Sequence, residues 1–287
     1  MGLSAYLRLY RVRDWIHFLP LPLAGWVADP SHPSVLALVG GVLGWGLGLA
    51  YTSAINQAYD DRLDRMWRSK NPVIAGGSDG EGGEGFARRR AIWLSILPMI
   101  ASLVVLALMA PMGLVPGVVL IIAATLYSAP PRLKRFPVLG TLWNLLVGVP
   151  GFFFASRPSV GELPLRPLVG LFAVLLLGSQ LIHEAQDRDD DVVGDVKTVA
   201  TEGGRRTALV AASALVIATP GIAWWLAAGV ERRVEITAAC AVFAIGWGAL
   251  LWSRLRCEDG AELKRLRLRY RYSAICLGAV VFAAMRG

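Results

Sequence analysis

The segment SVLALVGGVLGWGLGLAYTSAINQAYDDRLD, residues 34–64, carries no charge over 34–58 and then ends on Asp60, Asp61, Arg62 and Asp64. A helix needs about 20 mostly apolar residues to cross a bilayer. Residues 34–58 therefore read as a membrane span with carboxylates at its end. Within it Gly40, Gly41, Gly44, Gly46 and Gly48 let a neighbouring helix approach closely in lipid.

Eight further segments read the same way, giving nine spans at roughly 15–28, 34–58, 91–110, 112–128, 137–155, 164–186, 206–228, 234–252 and 270–285. The first is short and holds Pro20 and Pro22, so a kinked or interfacial helix is expected there. The third and fourth are divided only by the turn Pro111-Met112-Gly113, and Pro116 suits the entry of the fourth. No internal repeat is apparent. Of the 287 residues 55% are hydrophobic and 17% charged, with mean hydropathy +0.52. Soluble domains average about 45–50% and 25%. That deficit of charge excludes a water-soluble enzyme, a disordered chain and a fibrous repeat. The expected fold is an all-α polytopic membrane protein forming a single domain over 1–287.

The loop charges test the count. With the N-terminus in the cytoplasm, 24 of the 29 lysines and arginines fall in the N-terminal tail and in the loops after spans 2, 4, 6 and 8. Arg157, Arg166, Arg232, Arg233 and Arg286 remain for the other side. Positive-inside bias produces such asymmetry for an odd number of spans, and an even number would scramble it. The net charge of +8 therefore needs no nucleic-acid partner. Cys240, Cys257 and Cys276 are odd in number and far apart, so neither a disulfide framework nor a zinc site follows. The start MGLSAYLRLYRVRDW lacks the small-residue cleavage site of a secretory signal, so the first span is expected to stay. An integral protein of the cell inner membrane is expected.

Eight of the twelve aspartates lie in two clusters, one from Asp60 to Asp64 and one from Asp187 to Asp195. Each follows an even-numbered span, so both face the cytoplasm. Asn56, Asp60 and Asp64 are spaced four apart, and Asp187, Asp191 and Asp195 repeat the spacing. Residues four apart share one helix face. Each cluster thus presents a row of oxygen ligands. Oxygens without His or Cys partners suit hard cations, chiefly Mg²⁺, which is typically held by one or two carboxylates together with substrate phosphates. Two such rows would clamp a diphosphate. A single row would also fit a solvated helix end, but matched spacing on one membrane side argues against solubility alone, because carboxylates near membrane depth are expensive. Among the basic residues nearby, Lys70, Arg132, Lys134 and Lys197 sit closest to helix ends and are the candidates for phosphate contact.

Taken together these residues resemble the UbiA-type intramembrane prenyltransferases. Asn56-x3-Asp60-x3-Asp64 after a Gly-rich span is similar to their first aspartate motif. Asp187-x3-Asp191, followed by Gly194, Lys197 and Thr198, resembles the second. Tyr127-Ser128-x-Pro130-Pro131 with Lys134 is similar to the loop between their fourth and fifth helices. The resemblance implies nine helices around a central cavity open to the cytoplasm and laterally to lipid. It implies that the motifs bind the Mg²⁺-diphosphate of an isoprenyl donor. Asp60, Asp64, Asp187 and Asp191 would then be the catalytic residues, metal ligands together with Asn56. Asn56, Lys70, Arg132, Lys134 and Lys197 would contact the diphosphate. Two positions depart from the pattern: Gln57 stands where Asp is common, and Asn71 where Arg usually precedes proline, leaving Lys70 as the substitute.

Further residues are expected to line the cavity: Tyr59, Tyr127 and Asn144, with Tyr51 and Trp143 beside them. Aromatic faces attract cations. Gln180, Glu184, Asp187 and Asp191 form one stripe that carries polarity inward, and His183 adjoins it, either as a structural hydrogen-bonding residue or in acceptor binding. The Gly-rich stretch 76–85 lacks a Walker ending and reads as a linker or lid. The Arg-dense stretch 254–271 reads as an amphipathic segment on the lipid surface. The expected activity is Mg²⁺-dependent transfer of an isoprenyl group from an allylic diphosphate to a lipophilic acceptor, aromatic ones included, inside the membrane. The alternatives are a terpene cyclase of the same fold and, from another class, a cation-coupled transporter, whose charges would more often sit at mid-membrane in broken helices.

Overall fold

The computed structural model describes residues 3–29, 31, 33–66, 88–156, 165–194 and 196–286, with the backbone alone for 3–5, 13, 14, 61–66, 88, 165 and 286. Lys70, Asn71, Asp195 and the stretch 76–85 lie outside the described residues, as does the side chain of Asp64. Among the described residues there is no strand. The chain divides into two compact units, Met1–Leu133 with Pro150–Pro158, and Lys134–Val149 with Ser159–Gly287.

The first unit contains α1 (Leu3–Tyr10), α2 (Val12–Trp15), α3 (Pro20–Ala28), α4 (Val35–Met66), α5 (Arg88–Met109) and α6 (Leu114–Ser128). Here α4 is the axis, with α1, α3, α5 and α6 all packed on it. Its small residues decide how closely they come. A Cβ at Gly40 would lie 2.4 Å from the Met109 Cβ and 3.1 Å from the Met109 carbonyl carbon, so only glycine admits α5 at this distance. Ser102 of α5 donates to the Gly44 carbonyl at 2.7 Å, a bond that the close approach makes reachable. Below it Trp45 is fully buried, its indole N–H on the Phe18 carbonyl at 3.0 Å and its ring edge-on to Phe154.

The second unit contains α7 (Pro137–Gly148), α8 (Leu165–Val193), α9 (Val199–Gly203), α10 (Arg205–Leu226), α11 (Arg233–Ser253) and α12 (Gly260–Arg286). Its centre is α8, against which α7, α9, α10 and α12 pack. Tyr270 of α12 is fully buried, edge-on to Phe243 and Trp247 of α11 and with its hydroxyl against Gly178 of α8.

Seven of the described helices are long and apolar enough to cross a membrane, and Ile16–Ala28 and Pro137–Phe153 are shorter apolar helices. Together they coincide with the nine expected spans. The two short ones carry the prolines that limit them, Pro20 at the start of α3 and Pro150 in the tight turn that ends the second. Three boundaries differ: α4 and α8 run on past 58 and 186 to Met66 and Val193, and α12 starts at Gly260. Residues 260–271 are no separate surface segment but the opening turns of α12, because Leu263, Leu266 and Tyr270 recur on one face and are buried. The arginines between them made the stretch look like surface. With 32 and 29 residues, α4 and α8 run about 48 and 43 Å, against a hydrocarbon core of about 30 Å. Their last turns, which carry the aspartate rows, thus have length to stand at the polar boundary.

Gly40→Ala is expected to lower the thermal unfolding midpoint in detergent, at a cost of about 1–3 kcal/mol for overpacking. Gly246→Ala in α11, where a Cβ meets nothing within 4 Å, serves as the control and should not fall. Equal midpoints for both variants would refute the close-packing role of Gly40.

Candidate active site

In the first unit the end of α4 brings Asn56, Tyr59 and Asp60 beside the end of α6 and the turn after it. Ser128, buried, donates its hydroxyl to Asn56 Oδ1 at 3.1 Å. Arg132 donates from one terminal nitrogen to the Tyr59 carbonyl and to Asp60 Oδ1, each at 3.0 Å. The Arg132 and Asp60 side chains keep only 19% and 16% of their exposure, so this pair is sheltered from solvent screening. Arg132 sits in left-handed backbone, φ 58°, a conformation that costs a non-glycine residue roughly 1–2 kcal/mol. The turn thereby delivers a guanidinium to the aspartate row. Behind the row, Tyr51 shares a 2.5 Å hydrogen bond with Thr125, and Tyr59 packs against the cluster of Tyr51, Ile55 and Ala124. Tyr127 is half-buried one residue before Ser128.

In the second unit the end of α8 separates its acidic residues by helix face. Asp187 accepts from the Gln186 side-chain amide at 2.6 Å and has His183 Nδ1 at 3.3 Å. Asp191 follows one turn later, half-buried, and its carbonyl accepts the Val196 N–H at 2.9 Å. Asp189 is turned elsewhere, 62% exposed, where Arg205 donates to it at 2.7 Å. Arg205 is buried and also donates to Glu258 at 2.8 Å and to the Ala185 carbonyl at 3.0 Å. Asp189 is thus engaged in holding α8 to α10, away from the row.

Glu184 is 4% exposed. It accepts from Thr141 of α7 at 2.5 Å, from the Val199 N–H at 3.0 Å and from Gln180 at 3.4 Å. The carboxylate so fixes the first turn of α9, which a reciprocal Thr198–Thr201 capping box completes. Lys197, just before that turn, is exposed. Asn144 directs its amide nitrogen to the Gly140 carbonyl of its own helix at 3.0 Å. Lys134 is half-buried at the foot of α7, its backbone within 3.0 Å of where a Gly140 Cβ would be.

Two helix ends bearing oxygen rows, an arginine turned onto one of them and nine apolar segments agree with one family, and residues 18–275 match the UbiA prenyltransferase family. The chain belongs to that family. It is an integral membrane prenyltransferase, and the transporter reading falls. Two relatives are similar to it in sequence. It is 27% identical over 199 residues to a digeranylgeranylglyceryl phosphate synthase of Thermococcus gammatolerans, covering 69% of this chain and 68% of that one. It is 29% identical over 204 residues to a homogentisate phytyltransferase of Synechocystis, covering 67% of this chain and 63% of the relative. In three dimensions it is similar to a UbiA homolog from Archaeoglobus fulgidus bound to GPP and Mg²⁺, with TM-score 0.76 and 21% identity over 98% of this chain and all of that one.

One departure from the UbiA pattern has a structural reason. Gln57, 7% exposed, donates its amide to the carbonyls of Arg8 and Leu9, at 3.0 and 2.5 Å, at the end of α1. An ionised aspartate has no proton to give them. Position 57 therefore serves here as a tether between α1 and α4. Arg205, Gln186 and Arg267 are contributors that the sequence did not single out. Arg267 donates to Gln186 Oε1 at 3.1 Å and also contacts His183 Nδ1. The usable signal for Arg267 was its place one residue after the buried Leu266 in the 263, 266, 270 repeat.

Gln57→Leu is expected to leave two carbonyls unpaired and to destabilise by about 1–3 kcal/mol. Hydrogen exchange should rise selectively over α1 while the ends of α6 and α8 keep their protection. Unchanged exchange over α1 would remove the tether.

Proposed function

We propose that this chain transfers an isoprenyl group from an allylic isoprenyl diphosphate to a lipophilic acceptor inside the membrane, as one prenyltransferase domain. Asn56, Asp60, Asp64, Asp187 and Asp191 hold the Mg²⁺-diphosphate. The observation that carries the reading is the Arg132 guanidinium on Asp60 at the end of α4, and the end of α8 carries a second run of carboxylates. The donor set fits the ion: carboxylate and amide oxygens are hard ligands, and one or two carboxylates suffice where phosphates complete the shell. When bound, Mg²⁺ neutralises charge on the departing diphosphate. Arg132, Lys134, Lys197 and Lys70 add positive charge at the same group as its bond to the allylic carbon breaks. The Tyr59 and Tyr127 rings offer π-faces to the carbocation. A nucleophilic carbon or oxygen of the acceptor then forms the new bond and gives up its proton. Asn144, His183 and Glu184 shape the acceptor side through the α7–α8 contacts. The named relatives use a glycerol-lipid and an aromatic acceptor, which supports the broad class of lipophilic acceptors here.

The loop charges support a reading in which both rows face the cytoplasm from the inner membrane. In a background without the native cysteines, Ser78→Cys and Thr201→Cys should stay unlabelled by an impermeant thiol reagent in intact cells. Ser159→Cys should label at once. Labelling at Ser78→Cys without Thr201→Cys would break the topology and the mechanism with it.

Turnover by purified protein is expected to vanish with EDTA and to return with Mg²⁺, with Mn²⁺ able to replace it. Asp60→Ala, Asp64→Ala, Asp187→Ala and Asp191→Ala should each abolish turnover while folded protein remains in the membrane. Two of these four at near wild-type rates would sink the assignment, as would full activity in metal-free buffer. Product analysis with donor alone separates transfer from cyclisation.

A further inference from the structure

The end of α8 is served by a cation from the last helix. The Arg267 terminal nitrogen NH1 carries two protons, and it lies against both His183 Nδ1 and Gln186 Oε1, the latter at 3.1 Å. With Gln186 Oε1 occupied by the guanidinium, the other end of that amide, Nε2, must face away from it. It meets Asp187 Oδ1 at 2.6 Å. An amide has one donor end and one acceptor end, so the cation decides which end the carboxylate sees. Without it the amide is free to turn over, and its oxygen would repel Asp187. The same contact sets the imidazole. Nδ1 accepts from Arg267, so the ring proton sits on Nε2. Nδ1 also lies 3.3 Å from Asp187 Oδ2. Asp187 is thereby held on one oxygen by a donor and on the other by a ring.

We propose that Arg267 is a positioning residue for the reaction: acting through the Gln186 amide, it fixes the orientation in which Asp187 meets the donor's metal ion. This rests on the assignment of Asp187 as a ligand. Residues that orient ligating carboxylates typically affect metal affinity by 10–100-fold. Arginine suits the role because its planar head keeps its charge and presents several protons at fixed angles.

The test is a Mn²⁺ titration of the purified full-length protein, followed by electron paramagnetic resonance, with an unreactive geranyl S-thiolodiphosphate present. Arg267→Met, which keeps the apolar stem, is expected to weaken Mn²⁺ by about 10–100-fold. In turnover the KM for Mg²⁺ should rise in step, with kcat at saturating Mg²⁺ little changed. Arg267→Lys should recover most of the affinity, since an ammonium also donates to Gln186. Gln186→Leu carries the test if Arg267→Met fails to fold, and the double variant should be no weaker than either single. Wild-type Mn²⁺ affinity in Arg267→Met or Gln186→Leu overturns the proposal, and so do losses that add in the double variant. Asp187→Asn separates the two levels. If it alone loses Mn²⁺, the positioning role fails and the site stands; if it too binds normally, the ligand assignment itself fails.

Discussion

Hydrocarbon offers no hydrogen-bond partner, and every part of this chain answers to that. Backbone amides crossing the membrane must bond within their own segment, which leaves helices as the means for a single chain without a closed barrel. Between helices in lipid the apolar driving force is weak, so association relies on close van der Waals contact and a few polar bonds. The Gly40 approach to Met109 and the Ser102 bond to the Gly44 carbonyl supply both in one place. Charges face the same constraint more severely. The sheltered ones described here are matched: Asp60 by Arg132, Glu184 by Thr141 and the Val199 amide, and Arg205 by Asp189 and Glu258. The aspartate rows themselves stand at the ends of helices longer than the core they cross.

Chemically similar residues have been given different work by where the helix turns them. Glu184 is locked into the packing of α7 and α9, Asp189 is spent on an arginine, and Asp187 is held by an amide and an imidazole. Composition assigns all three to one acidic run. Their partners set them apart.

The spans were legible because an uncharged run bounded by charges has few other readings, and the prolines and glycines marked their ends. Of the rows, Asn56 with Asp60 and Asp187 with Asp191 were legible because a spacing of four survives from sequence to helix face. The opening of α12 was misread for the opposite reason: arginines dominate its composition, whereas Leu263, Leu266 and Tyr270 decide its burial. Gln57 was visible only as a departure, since its partners Arg8 and Leu9 are backbone carbonyls that leave no mark in the side-chain pattern. Arg267 meets residues more than eighty positions away, a relation that no local window contains.

The opposed faces of Asp187 and Asp189 make α8 sensitive to phase. Each residue advances a helix by about 100°. Gaining or losing a single residue between Glu184 and Asp191 would swing the row aspartates toward the Arg205 side, even if every acidic residue were retained. This stretch cannot vary in length. Among natural variants, a gap-free count from Glu184 through Asp191 should be kept more strictly than the identity of the residues between them.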